Sequence, residues 1–204
     1  MTLSHRLWSD NRDLADDALA HPFIQQLGNG SLDREIFAGY VAQDAFFLES
    51  FARAYALALA RSNDTPTLIA LAGLIAGVAD ELNLHNSYAA RWGIDMAGVE
   101  PSPATLAYTD FLLATAATSD LGVILAAMTP CMRLYAWLGT SLDADKAGQY
   151  AEWVQTYADP DFGDLASQLE GLLDQHADDR AAVAMAYRRA MRLEVQFFES
   201  AISG

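Results

Sequence analysis

Three times in this chain a capping residue stands directly before a proline that opens a run of helical periodicity: Thr65-Pro66, Ser102-Pro103 and Asp159-Pro160. Proline suits the first helical position, where its missing N–H costs nothing and its fixed φ is already helical. The preceding hydroxyl or carboxylate serves the orphan amides of the first turn. Between these marks, apolar residues recur at i, i+3, i+4 and i+7, the helical period. The spacing predicts helices over 3–20, 33–62, 66–92, 103–119, 121–142, 144–157, 161–174 and 178–202. Ser31, Asp33 and Glu35 suit the start of the second, which has no internal breaker except Gly39. Gly93 can close the third, and "HPFIQQLGNGSL" turns the chain after the first. No segment reads as a strand, no repeat is found, and no linker rich in Pro, Gly or Ser divides the chain. One all-α domain over 1–204 is expected.

The 204 residues are enough for a substantial core, and at 52% hydrophobic the chain can fill it. One Lys and eleven Arg stand against 27 acids, a net charge of −15. That charge argues against a nucleic-acid partner, which needs a basic surface. It also opposes docking on an anionic membrane. Apolar runs such as "LIALAGLIAGVA" are about a dozen residues, too short to span a bilayer. The N-terminal stretch has no basic segment followed by an apolar one, so no signal peptide is expected. A single cysteine makes no internal disulfide, which fits a reducing cytoplasm. Several helices are apolar over more than half their circumference, which implies a buried central helix or a subunit interface.

The lone thiol lies in "MTPCMRLYAWLG". Pro130 cannot donate to the carbonyl four residues back, and a bend there opens space beside Cys131. Tyr135 follows one turn later on the same face, where its hydroxyl can orient the sulfur. A free cysteine that merely packs is the plain alternative. In "YVAQDAFFLESFARAY", Asp44, Phe47 and Phe51 share one stripe. A carboxylate buried among rings is costly unless partnered, and it suits a flat, hydrogen-bonding heterocycle. Edge exposure or an Arg partner would also explain Asp44. Glu194 and Phe197 repeat the spacing in the last helix, while Glu199 falls off that face and is expected in solvent. Glu81 and His85 at i, i+4 can supply two metal ligands, but a structural pair is the expected reading, and no metal site is predicted. Tyr108 and Tyr157 are further candidates near helix ends. No phosphate-binding glycine loop or nucleophile elbow occurs.

Seven windows in order resemble the TenA family, also called thiaminase II or aminopyrimidine aminohydrolase. They are "HPFIQQLGNGSL", "YVAQDAFFLESFARAYALA", "DELNLHNSYAARWGI", "AYTDFLLATA", "MTPCMRLYAWLG", "YAEWVQTYADPDFGDL" and "EVQFFESA". The resemblance implies an all-α, haem-oxygenase-like helical bundle, usually a homotetramer. It implies hydrolysis of 4-amino-5-aminomethyl-2-methylpyrimidine to the hydroxymethyl compound in thiamin salvage, and in many members cleavage of thiamin. The partner is then a small aminopyrimidine or thiamin, with neither metal nor organic cofactor. By resemblance, Cys131 is the nucleophile of a cysteine-bearing subgroup. Asp44 holds the amino and ring-nitrogen edge, and Glu194 is the acid/base with Tyr157 beside it. Tyr135 is the phenol near the sulfur, and Tyr108, Phe47 and Phe197 form aromatic walls. Phe51 departs from the pattern, since many relatives carry tyrosine there, and the lost hydroxyl bears on substrate preference.

The implied chemistry joins these residues. Glu194 and Asp44 protonate the ring and stabilise its cation; a thiolate adds, the amine leaves, and water replaces it. Such carboxylates need a dry aromatic pocket that raises their pKa. Three rivals stand beside this reading: a non-catalytic binder or regulator, a metal-dependent oxidase using Glu81 and His85, and a haem protein with His21 as axial ligand.

Overall fold

The computed structural model describes residues 1–93 and 99–203, without the side chains of 84–88 and 91. The helices are α1 (Leu3–Asp10), α2 (Arg12–Ala20), α3 (Pro22–Gly28), α4 (Arg34–Leu59), α5 (Thr65–Trp92), α6 (Pro103–Thr118), α7 (Leu121–Ser141), α8 (Ala151–Ala158), α9 (Pro160–His176) and α10 (Ala181–Ser203). No strand occurs among the described residues.

The capping logic explains most of these boundaries. Side chains of Asp33, Ser102, Asp120 and Asp159 accept first-turn amides of α4, α6, α7 and α9. For α5 the cap is Asp64, one residue before the predicted Thr65; its carboxylate accepts from Thr67 N at 2.9 Å. Gly93 ends α5 in the left-handed conformation at φ 67°.

Three predicted segments differ. The first helix is two, because the Asn11 side chain takes the Leu7 carbonyl at 2.8 Å while its own amide turns to Trp8. The turn at 21–32 contains α3, opened by Pro22 and capped by His21 Nδ1, which accepts from Phe23 N at 3.2 Å. A helix from 144 does not form. Gly148 adopts φ 57°, a 3₁₀ turn follows at Gly148–Tyr150, and α8 starts only at Ala151.

Helix α7 is the hub, packing against α4, α6, α8, α9 and α10. Two segments, 65–83 of α5 and 121–141 of α7, are long and apolar enough to cross a membrane by length and composition. The expected limit of a dozen apolar residues therefore understated both, because scattered small and polar residues interrupt the runs without ending the helices. Most of α7 is buried inside the bundle, the place of a core helix, whereas α5 turns Leu68 and Ile69 outward.

Where α7 crosses α8 the backbones touch. A Cβ added at Gly139 falls 2.3 Å from the Tyr157 carbonyl carbon and 2.5 Å from Ala158 N. Only hydrogen fits, and the contact fixes Tyr157 relative to Cys131 two turns up the same helix. Gly139→Ala is expected to destabilise by about 3 kcal/mol, the clash outweighing better helix propensity. The melting temperature then falls by about 6–12 °C; an unchanged value in calorimetry refutes the contact.

Candidate active site

Helices α4, α5, α7, α8 and α9 enclose one slot lined by Asp44, Phe47, Phe51, Glu81, Cys131, Tyr135, Tyr157 and Phe162. Helical register puts Asp44, Phe47 and Phe51 on one face of α4, all buried, with the two rings stacked at 5.3 Å. Helix α7 continues through Pro130, which lacks the N–H that would serve the Ala126 carbonyl. The next residue, Cys131, and Tyr135 one turn later both face the slot.

Cys131 lies beside Glu194, which comes from α10 and is 2% exposed, close enough that each shifts the other's proton affinity. Three distant segments thus bring sulfur and two carboxylates together. Burial pushes the thiol well above its ordinary pKa, and the negative charges of Glu194, Glu81 and Asp44 add to this. The buried, acid-ringed sulfur therefore rests as a thiol, and the thiolate that adds to the ring forms during the reaction. Burial also pushes Glu194 up to about 8, with Asp44 adding to the rise, while the hydrogen bond from Tyr108 and the neighbouring Cys131 thiol act against it. Near neutrality Glu194 carries a proton.

The tyrosines take roles that sequence spacing did not assign. Tyr108 is more than a wall: its hydroxyl donates to Glu194 Oε1 at 2.6 Å, and its ring lies 4.7 Å from Phe47. The Tyr157 hydroxyl donates to Glu81 Oε1 at 2.6 Å. The Tyr135 hydroxyl pairs with Tyr40 Oη at 3.2 Å, and Tyr40 also accepts from Trp153 Nε1 at 3.4 Å. The Tyr135 hydroxyl thus bonds across α7 and α4 to Tyr40, and Glu194 is the acid beside the sulfur. Phe197 stands behind the slot, 6.3 Å from Phe47 and 5.8 Å from Tyr40, and lines a separate surface cleft. Glu199 is exposed and bonds His21.

Sequence spacing did not point to Tyr40, Glu81 or Phe162 as parts of this site. Two had a signal. Tyr40 precedes Asp44 by four residues, and Glu81 continues the buried stripe Leu74, Val78 at i+4 and i+7. Phe162 had none beyond "DPDFG". The expected Glu81–His85 pair cannot be followed, because the His85 side chain lies outside the described residues. His21 is a poor haem ligand: one ring nitrogen caps α3 and the other bonds Glu199.

The slot's volume is about 10 Å³, what a single water needs. Phe162, Met132 and Glu81 separate it from a second cavity of about 330 Å³ that opens outward between α5 and α9. A cavity of ~150 Å³ admits a benzene ring, so a bound heterocycle requires these side chains to move.

Known proteins share this sequence and frame. A protein from Halalkalibacterium halodurans named aminopyrimidine aminohydrolase is 30% identical over 98% of this chain and 96% of its own. A structure from Silicibacter sp. TM1040, described as a TenA family transcription regulator, superposes with a TM-score of 0.91 at 27% identity, covering 98% of this chain and 96% of that one. A Shewanella denitrificans domain described as having a heme oxygenase-like fold gives 0.70 at 15% identity over 98% and 91%, a likeness of fold. The model of the TENA/THI-4/PQQC family matches residues 8–203. A match over nearly the full length, on the helical frame that the caps and core residues build, makes this chain a member of the TENA/THI-4/PQQC family.

Proposed function

We propose that the protein is a cytoplasmic aminopyrimidine aminohydrolase of thiamin salvage, of the cysteine-bearing subgroup, acting as one domain. It replaces the exocyclic amine of 4-amino-5-aminomethyl-2-methylpyrimidine by hydroxyl and also cleaves thiamin. The observation that carries the reading is a closed aromatic slot lined by Cys131 and Asp44, with the buried Glu194, bonded by Tyr108, beside the sulfur. Relatives named aminopyrimidine aminohydrolase, from Halalkalibacterium halodurans and Helicobacter pylori, support it.

In this mechanism Asp44 holds the amino edge of the ring. Glu194, protonated near neutrality, gives its proton to a ring nitrogen and recovers one from the thiol as sulfur adds to the ring. The S–H bond breaks, a C–S bond forms, and the ring loses aromaticity. Collapse of the adduct expels the amine, an ammonium in the substrate, as ammonia with the C–N bonding pair. Water adds at the exocyclic carbon and gives one proton to the departing ammonia, the C–S bond breaks, the sulfur takes a proton from Glu194, and Glu194 takes back the ring-nitrogen proton as aromaticity returns. No step calls for a metal or an organic cofactor. The homotetramer belongs to the same reading, and the outward Leu68 and Ile69 of α5 supply apolar surface for it; sedimentation equilibrium measures the assembly.

The test is release of ammonia from the aminomethyl pyrimidine and of thiazole from thiamin. Binding without product supports a non-catalytic binder instead. Asp44→Ala is expected to weaken binding of the hydroxymethyl pyrimidine at least tenfold, about 1.4 kcal/mol, in keeping with loss of a charged hydrogen bond. Unaltered affinity in calorimetry rejects that contact.

A further inference from the structure

The wall between slot and outer cavity is chemically one-sided. Glu81 lines both spaces and accepts the Tyr157 hydroxyl proton at 2.6 Å. A phenol has one proton; with it committed to Glu81, the oxygen offers the slot acceptor capacity alone. The outer cavity continues the pattern. Asp80, Asp159 and Asp161 stand around an apolar floor of Leu74, Val78 and Phe162. No Lys, Arg or His lines it among the described residues. A space with apolar walls and several carboxylates attracts a cation that carries hydrocarbon, and repels an anion.

We propose that Glu81 determines specificity by reading the charge of the substituent before it leaves, and that the outer cavity receives that substituent while it is still a cation bonded to the pyrimidine, either an ammonium or a heteroaromatic onium ring, which then departs as neutral ammonia or thiazole with the C–N bonding pair. The inference rests on the hydrolase reading above and adds the class of substituent that the site selects. Asp44 and Glu194 address the ring; Glu81 and Tyr157 address what departs from it. The order of the two cavities fits this division, since the pyrimidine slot is interior and the larger space lies on the solvent side. Glu81 acts here by charge and through Tyr157, while bond making stays with Cys131 and Glu194.

The test compares three substrates that share one pyrimidine: the aminomethyl compound (an ammonium at neutral pH), thiamin (a permanent thiazolium) and the formylaminomethyl compound (neutral). The readout is the ratio of kcat/KM for each cationic substrate to that for the neutral one. Glu81→Gln is expected to lower this ratio at least tenfold. Glu81→Asp, which keeps the charge, is expected to hold it within about threefold of wild type. Equal losses on all three substrates, or equal loss of the ratio in both variants, overturn the inference. A measurement on the unaltered protein guards against a variant that fails to fold: an N-alkylated thiazolium is expected to inhibit at least tenfold more strongly than the matching neutral thiazole, and equal inhibition also overturns it. If the unaltered protein turns over none of the three substrates, the hydrolase reading fails and takes this inference with it. Turnover with an unchanged ratio in Glu81→Gln refutes the role of Glu81 alone.

Discussion

Cys131→Ser is expected to lower turnover at least a thousandfold, about 4 kcal/mol of barrier, with the fold intact. The hydroxyl is slightly smaller than the thiol and equally neutral, so packing on α7 changes little. What is lost is the nucleophile. A serine hydroxyl is far harder to deprotonate than a thiol, and among the described residues no Lys, Arg or His lines the slot to stabilise an alkoxide. Burial and the carboxylates of Glu194, Glu81 and Asp44 already hold the thiol well above its usual pKa, and they weigh more heavily on a stronger base. Single-turnover product release, read with the melting temperature, checks this. Turnover within tenfold of wild type excludes covalent catalysis by sulfur.

Glu194→Gln is expected to lower kcat by a factor of about 10²–10⁴, the range for loss of a positioned proton donor. Its pH behaviour separates this from a packing effect. Wild-type activity is expected to fall as pH rises through about 8, where Glu194 loses its proton; the residual activity of Glu194→Gln lacks that limb. Stability follows the same group. The folded carboxyl holds its proton up to about 8, against an ordinary value of 4.5. Between those values the folded state binds more protons than the unfolded one, so wild-type stability falls as pH rises through that window. A tenfold difference in proton affinity between the two states is worth about 1.4 kcal/mol, so the loss across the whole window amounts to a few kcal/mol. Glutamine never ionises and escapes this loss. The variant therefore gains on wild type as pH rises from 5 to 9 in denaturant titrations, and parallel pH profiles for the two proteins would place Glu194 in solvent.

Much of this architecture was legible because helix punctuation is local. Asp33, Ser102, Asp120 and Asp159 act on amides two or three residues away, and such distances are written in the chain. The failures have equally local causes that run against periodicity. Asn11 diverts a carbonyl with its side chain, and Gly148 takes a left-handed conformation that no pattern of apolar residues announces. Within the site, Asp44, Phe47 and Cys131 were readable as polar or reactive groups on buried stripes. The hydrogen-bond partners were not. Whether Tyr157 meets Glu194 or Glu81, and whether Tyr135 meets the sulfur or Tyr40, depends on how α4, α5, α7, α8 and α10 cross. Those crossings join residues far apart in the chain; Tyr40 and Tyr135 are separated by 95 positions. Glu81 was visible as a continuation of Leu74 and Val78, but its i+4 relation to His85 drew attention to a local pair instead.

The crossing at Gly139 reaches beyond stability. With no atom larger than hydrogen between α7 and the end of α8, the two helices cannot slide, and Cys131, Tyr135 and Tyr157 travel as one rigid block. Any breathing that lets a flat ring reach the sulfur must then be borne by the opposite bank, where Glu81 and Phe162 ride on α5 and the first turn of α9. The molecule is in this respect a fixed anvil facing a yielding wall, and the chemistry sits on the side that does not yield.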